Sequence, residues 1–166
     1  VTHNCPWAYR TTMFRKLKGL EDVISIAVGG STDKDEGWTF TDEPGAVPDA
    51  VNCVFRLHEV YTKANPNYTG RVTVPTLWDK KNQTIVNNES SEIIRMFNSA
   101  FERAGANAET ADFYPEELRG EIDAINDVVY ANVNNGVYQC GFATSQDAYE
   151  DAFDGLFATL DELEAR

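Results

Sequence analysis

Residues 2–10, THNCPWAYR, decide the fold, because they join a strand end to a helix at a cysteine. Val1 to Asn4 reads as the end of a strand. Pro6 sits at the first helical position, where its missing N–H costs nothing and its fixed φ suits the helix. The helix is expected to run to about Lys18, with Trp7, Phe14 and Leu17 on one face and Gly19 as its stop. Cys5 then precedes the first turn. The open N–H groups and positive end of the helix favour a thiolate there, the nucleophilic form of the side chain. The competing reading is a buried core cysteine. Cys53 and Cys140 stand in no such context: both read as structural, Cys140 in a loop.

Outward from that junction, strands and helices alternate. Val23 to Val28 is apolar and β-branched, a buried strand. Gly29 to Ala50 is a long loop, of the length that usually serves function. Val51 to Asn65 reads as a helix with Val54, Phe55, His58 and Tyr61 on one face, ended by Pro66. RVTVPTLWD (Arg71 to Asp79) is extended and interrupted by Pro75. Lys80 to Gln83 turns the chain, and Thr84 to Asn87 returns as a strand. Asn88 is expected to cap the next helix, with Glu89 in its first turn and Ile93, Ile94, Phe97, Ala100 and Phe101 on one face. The order β-α-β-α-β-β-α gives an α/β fold with a partly parallel sheet and an antiparallel edge. After a spacer at 104–112 the pattern is all-helical, from Pro115 to about Asn134 and from Gln146 to Leu163. The domain boundary is expected within residues 102–113, giving domains 1–103 and 113–166.

Among the 166 residues, 27 Asp and Glu outweigh 14 Lys and Arg, for a formal charge of −13. That balance disfavours nucleic acid and anionic membrane, which both need clustered cations. The acidic residues are dispersed, as on a solvated surface; with Lys scarce, they also read as adaptation to a salty cytoplasm. No apolar run is long enough to span a bilayer. Three cysteines without a CxxC, and two histidines, give neither a disulfide framework nor a zinc site. Free thiols suggest a reducing compartment, the cytoplasm. The chain opens in mid-strand without Met and stops on a helix still in phase, so it reads as a segment cut at both ends.

Two further stretches carry chemistry. Val74-Pro75 lies at a strand kink, where a trans edge proline and a cis bond read equally well. A cis bond would turn the Val74 backbone outward to pair with a peptide-like ligand. Asn88-Glu89-Ser90-Ser91 places side-chain oxygens and open N–H groups at a helix start, suited to a carboxylate, with Glu89 beside them for an ammonium. Plain helix capping is the alternative.

Taken together, CPWA-x-R-T, GWTF, GRVTVPTLWD, IVNNESSEI and NNGVYQCGFAT, five blocks in order over nearly the whole chain, resemble the S-glutathionyl-hydroquinone reductases, the xi class of the glutathione transferase superfamily. CPxA alone also occurs in omega-class transferases; the last two blocks discriminate better. The resemblance implies a thioredoxin-like N-terminal domain followed by an all-α domain, incomplete here. It makes Cys5 the catalytic cysteine and Trp38 the tryptophan packing over glutathione. Arg71, Val72, Thr73 and Val74 would line the tripeptide, with the Val74 backbone on its cysteinyl part and Arg71 at its glycine end. Glu89 and Ser90 would hold the γ-glutamyl ammonium and carboxylate. Tyr138 would act on the hydroquinone, with Tyr130 as its rival. Thr2-His3-Asn4 departs from the smaller or apolar residues that the family more often shows there.

The function so implied is glutathione-dependent reduction of S-glutathionyl-hydroquinones to free hydroquinones through a Cys5–glutathione mixed disulfide, with no metal. The alternatives are an omega-like thiol transferase or dehydroascorbate reductase, and a glutathione-binding module without turnover. Glutathione is the expected co-substrate, with γ-glutamylcysteine as the other thiol that salt adaptation suggests. A homodimer is expected of the full-length protein.

Overall fold

The computed structural model describes residues 1–101 and 110–166. Pro6 opens helix α1, Pro6–Leu17, behind Cys5 as its N-cap. Gly19, at φ 62°, closes it. The Gly19 N–H meets the Lys16 carbonyl at 3.1 Å, and the Leu20 N–H meets that of Arg15 at 2.8 Å. This paired closure needs a left-handed residue just past the helix. The inward face of α1 keeps only part of the expected Trp7, Phe14, Leu17 stripe: Phe14 packs against Leu20, Ile93 and Phe97. Ala8, Thr11 and Lys18 are buried, and Leu17 is exposed. Small side chains at 8 and 11 let the helix approach its neighbours closely. Lys18 can be buried because its Nζ donates to the Ala111 carbonyl at 3.0 Å and lies 5.9 Å from the Phe113 ring centroid.

The strand expected at Val23 to Val28 does not form as a regular strand. The N–H groups of Val23 and Ile24 turn back to the Leu20 carbonyl, and Arg15 Nε holds the Ile24 carbonyl at 2.5 Å. Val28 then pairs antiparallel with Val47 and Gly29 parallel with Thr2, and the Ala27 carbonyl accepts the Val1 ammonium at 3.0 Å. The expected parallel pairing is therefore a single bridge among the described residues. The long loop after it contains a hairpin, β1 (Thr32–Asp33) against β2 (Gly37–Trp38). The Asp33 carboxylate accepts the N–H groups of Asp35 and Glu36 at 2.9 and 2.8 Å, folding its turn.

The second helix starts later than its sequence stripe suggests. Helix α2 is Leu57–Ala64. Asp49 takes the N–H groups of Val51 and Asn52, and Glu59 takes those of Phe55 and Arg56 at 3.0 and 2.7 Å. Those side chains hold residues 51–56 in turns and extended backbone. Phe55 is accordingly exposed, and the buried face is Leu57, Val60 and Tyr61. Strand β3 (Leu77–Asp79) pairs antiparallel with β4 (Thr84–Asn87), as the Lys80–Gln83 turn predicts. Helix α3, Ser90–Ser99, follows with Ile93 and Phe97 buried. Ala8, Phe40, Leu57, Val60, Tyr61 and Val74 make one core cluster; Leu20, Ile93 and Phe97 make a second.

The chain divides into two compact units, Val1–Phe113 and Tyr114–Arg166. Most of the expected boundary region, residues 102–109, lies outside the described residues. In the second unit a 3₁₀ turn at Glu116–Leu118 leads into α4, Arg119–Val128. A π-helical stretch, Val129–Asn134, carries it without a break into α5, Asn135–Gly141. The helix therefore passes the expected end near Asn134, and Cys140 lies on α5 rather than in a loop. The Asn134-Asn135-Gly136 run lies at the π-to-α junction, with Gly136 buried against Leu156. Helix α6, Gln146–Glu164, is capped by the Ser145 hydroxyl, which accepts the Ala148 N–H at 3.2 Å. Among the described residues no helix is long and apolar enough to cross a membrane.

Candidate functional site

Cys5 stands where a strand-like backbone enters a helix, at φ −98° and ψ 113°. Its carbonyl accepts the Tyr9 N–H at 2.9 Å, the first helical bond. Its thiol is half-buried and donates to the Val74 carbonyl at 3.8 Å across 69 residues of chain. The Val74-Pro75 bond is cis. Cys5 also packs on the cluster that contains Val74 and Ala8. Ala8 occupies the position that a second cysteine would take in a CxxC motif, and it is fully buried.

A polar hub behind this edge was not singled out by sequence. The Tyr61 hydroxyl, on the buried face of α2, donates to the Thr73 carbonyl at 2.9 Å and accepts the Thr73 N–H at 3.3 Å. Asn88 donates to the same hydroxyl at 3.2 Å and to Thr73 Oγ1 at 3.1 Å. The residues before Val74 and those before Glu89 are thereby fixed to one phenol oxygen. The signal was available: a tyrosine on the inward face of a helix needs a partner for its hydroxyl. Asn88 does not cap α3, because its side chain is committed to this hub. Glu89 is the N-cap, and Asn87 Oδ1 accepts the Glu89 N–H at 2.6 Å.

Ser90 begins α3 and is 4% exposed. Its Oγ accepts from Arg10 Nε at 2.9 Å, and the Arg10 guanidinium lies 4.9 Å from the Trp7 ring centroid. Burial pulls the Arg10 pKa below its ordinary value; Glu89 opposes that shift and Arg95 adds to it. Glu89 is exposed beside Ser90. Arg71 is exposed, and its carbonyl accepts the Tyr68 hydroxyl at 2.6 Å. Val72 packs on the first core cluster, as does Trp38 from β2. The Trp38 hairpin is tied to the start of α2 through Glu36, whose Oε2 lies 2.7 Å from His58 Nε2 and 3.4 Å from Arg56 Nε.

Cys5 and Val74 are in direct contact, and Thr73 is linked through Tyr61 to Asn88, next to Glu89 and Ser90. Trp38 joins them through shared core packing. Tyr138 belongs to the second unit, exposed on α5 with its ring stacked on Phe142 at 6.2 Å and 6°. Tyr130 lies in the π stretch and is more exposed, 57% against 43%. Among the described residues no group of His, Cys, Asp and Glu could hold a metal ion.

Cys5 at the start of α1, the Val74 backbone beside it and the Glu89–Ser90 start of α3 all belong to the first unit. Residues 4–100, which contain all three, match the family described as glutathione S-transferase, N-terminal domain. The chain belongs to the glutathione S-transferase family. A glutathionyl-hydroquinone reductase of Sphingobium chlorophenolicum, PcpF, is 55% identical over 160 residues, covering 96% of this chain and 50% of its own length. The glutathione-bound structure of YqjG, a glutathione transferase homologue from Escherichia coli K-12, superposes with a TM-score of 0.94 at 53% identity, covering 99% of this chain and 53% of that one. Glutathione transferase Xi 1 from Trametes versicolor gives 0.93 at 52% identity, covering 99% and 58%. The chain spans about half the length of the curated relatives it matches. Its first unit is thus the thioredoxin-like N-terminal domain of a glutathione transferase, and a helical region follows it.

Proposed function

We propose that the protein reduces S-glutathionyl-hydroquinones to free hydroquinones, with glutathione as reductant. The observation that carries this reading is the placement of Cys5 as N-cap of α1 with its sulfur 3.8 Å from the Val74 carbonyl. That contact supports Cys5 as a disulfide-forming nucleophile beside the Val74 backbone, on which the cysteinyl part of glutathione would pair. In the first step the Cys5 thiolate attacks the thioether sulfur of the conjugate. The sulfur–aryl bond breaks, the Cys5–glutathione disulfide forms, and the ring carbon leaves with the electron pair and takes a proton from Tyr138. In the second step the thiolate of a second glutathione attacks the mixed disulfide. Oxidised glutathione leaves, Cys5 is a thiolate again, and the proton released by that thiol restores Tyr138. No resolving cysteine is required, which agrees with Ala8 in place of one.

The carried-over roles are Trp38 over the tripeptide, Val72 and Thr73 along it, Val74 on its cysteinyl backbone, and Arg71 at the glycine end. Glu89 and Ser90 take the γ-glutamyl ammonium and carboxylate. γ-Glutamylcysteine would use the same γ-glutamyl contacts and leave Arg71 with less to hold. We place the protein in the cytoplasm, where its three free cysteines stay reduced, and expect the whole protein to be a homodimer. The test is to replace Cys5 by Ser and follow hydroquinone release from its glutathionyl conjugate. Turnover is expected to vanish, and retained turnover would overturn the mechanism.

A further inference from the structure

We propose that Arg10 is a positioning residue that turns the Ser90 hydroxyl into a dedicated donor for the α-carboxylate of the γ-glutamyl group. The inference rests on the glutathione reading above and assigns a role to a residue outside the set carried over from the family. Arg10 reaches from α1 to α3 and places Nε 2.9 Å from Ser90 Oγ. A guanidinium has only donors, so at this contact the serine oxygen must accept. A hydroxyl has one proton and two lone pairs. With a lone pair engaged by Arg10, the Ser90 O–H is directed to other acceptors.

The cation has a second effect. A hydroxyl that accepts from a cation is polarised, and its own proton becomes a stronger donor toward an anion. Ser90 is 4% exposed, so little bulk water is present to dilute that polarisation. The Arg10 guanidinium is itself held in place by the Trp7 ring at 4.9 Å. The exposed carboxylate of Glu89 lies next in sequence to this donor. A positively supported donor and a carboxylate, side by side, match the carboxylate and ammonium of an α-amino acid head. Arg10 would thus act on the carboxylate half of that head and leave the ammonium half to Glu89.

The experiment compares two ligands on five proteins. The ligands are glutathione and the analogue in which γ-aminobutyryl replaces the γ-glutamyl group, so that only the α-carboxylate is lost and the ammonium, thiol and glycine remain. The proteins are the wild-type chain, Arg10→Gln, Arg10→Lys, Ser90→Ala and the double variant Arg10→Gln/Ser90→Ala, each checked by thermal unfolding. Arg10→Gln is expected to weaken glutathione by about tenfold or more, the size of a charge-assisted hydrogen bond, and the analogue by less than about twofold. Arg10→Lys, which keeps a charged donor, should recover part of the loss and provides the reading if Arg10→Gln does not fold. Adding Arg10→Gln to Ser90→Ala should cost nothing further. Equal losses for both ligands, unchanged glutathione affinity, or additive losses in the double variant would overturn the assignment while leaving the glutathione reading intact. Absence of glutathione binding by the wild-type chain would overturn both.

Discussion

The two units of the chain differ in how many of their large side chains they seal from solvent. In the first, Leu20 and Ile93 are sealed from solvent, and Phe40, Tyr61 and Phe97 are nearly so. In the second, only Leu156, Thr159 and Gly136 are buried among the described residues. There Tyr138, Phe142, Tyr149, Phe153 and Phe157 all stay exposed, Phe142 by 78%. The rings of Phe153 and Phe157 pack on each other at 4.3 Å. Site residues of the first unit are oriented by buried partners: Thr73 by Tyr61, Ser90 by Arg10. Tyr138 has a stacked neighbour and an exposed surface.

The largest expected effect breaks this asymmetry from the side of the second unit. Tyr138→Phe removes the proposed proton donor and keeps the ring that stacks on Phe142. Hydroquinone release from glutathionyl conjugates should fall about a hundredfold or more, the usual weight of general acid catalysis. Exchange with a small glutathione mixed disulfide should stay within about twofold. Equal loss on both substrates would make Tyr138 structural. Equal retention would point to an omega-like thiol transferase, and Tyr130→Phe would then be the variant to compare.

Next in size is the difference in packing itself. Ile93, on α3, is 1% exposed and packs with Leu20 and Phe97, so Ile93→Ala should cost about 2–5 kcal/mol of stability, transfer and cavity together. Phe157→Ala, at a site 45% exposed, should cost about 1 kcal/mol or less. Denaturant titration of this chain measures both. Similar costs would mean that the second unit is held more tightly than its exposure implies.

A smaller effect probes how the first unit orients its site. Tyr61→Phe keeps the ring in the core and deletes the hydroxyl shared by Thr73 and Asn88. Loss of those bonds should cost about 1–2 kcal/mol. Glutathione affinity should drop with little change in the rate of the Cys5 step. A Tyr61→Phe protein with unchanged affinity would show that the two edges hold their places without the hub.

Much of this was legible in the sequence, and the gaps have physical causes. Pro6 after Cys5, Gly19 after the helix, and the Lys80–Gln83 turn are local signals, and local backbone chemistry decided them. The boundaries failed where a distant or intervening side chain captured backbone groups. Arg15 held the Ile24 carbonyl, and Asp49 and Glu59 held the N–H groups of residues 51, 52, 55 and 56. Inward faces were misread where a polar residue found a partner. Lys18 is buried because Ala111 lies above it, and 93 residues of chain separate them. Tyr61 and Arg10 were visible as residues, but their roles depend on Thr73, Asn88 and Ser90, brought near only by folding.

The smallest expected effect returns to a local signal, the turn between β3 and β4. The Asp79 carboxylate is held below the usual carboxylate range, first by the Asn82 N–H and then by the Asn82 side chain, with the Lys81 N–H and charge contributing less. A carboxyl whose folded pKa is depressed stabilises the fold above its unfolded value. That contribution is lost as pH falls through the folded value. The hairpin should therefore weaken below about pH 4. Asp79→Asn imitates the protonated form, so its melting temperature should lie below that of the wild type at pH 7 and approach it near pH 3. A gap that stayed constant across that range would show that the charge of Asp79 adds nothing to the turn, and that its hydrogen-bond geometry alone sets the β3–β4 register. An equivalent substitution in the second unit has no such expectation at Ser145, whose hydroxyl cap on α6 does not titrate. Ser145→Ala should lower stability by about 1 kcal/mol equally at both pH values, and the pair of variants separates charge from geometry as the source of each local stop.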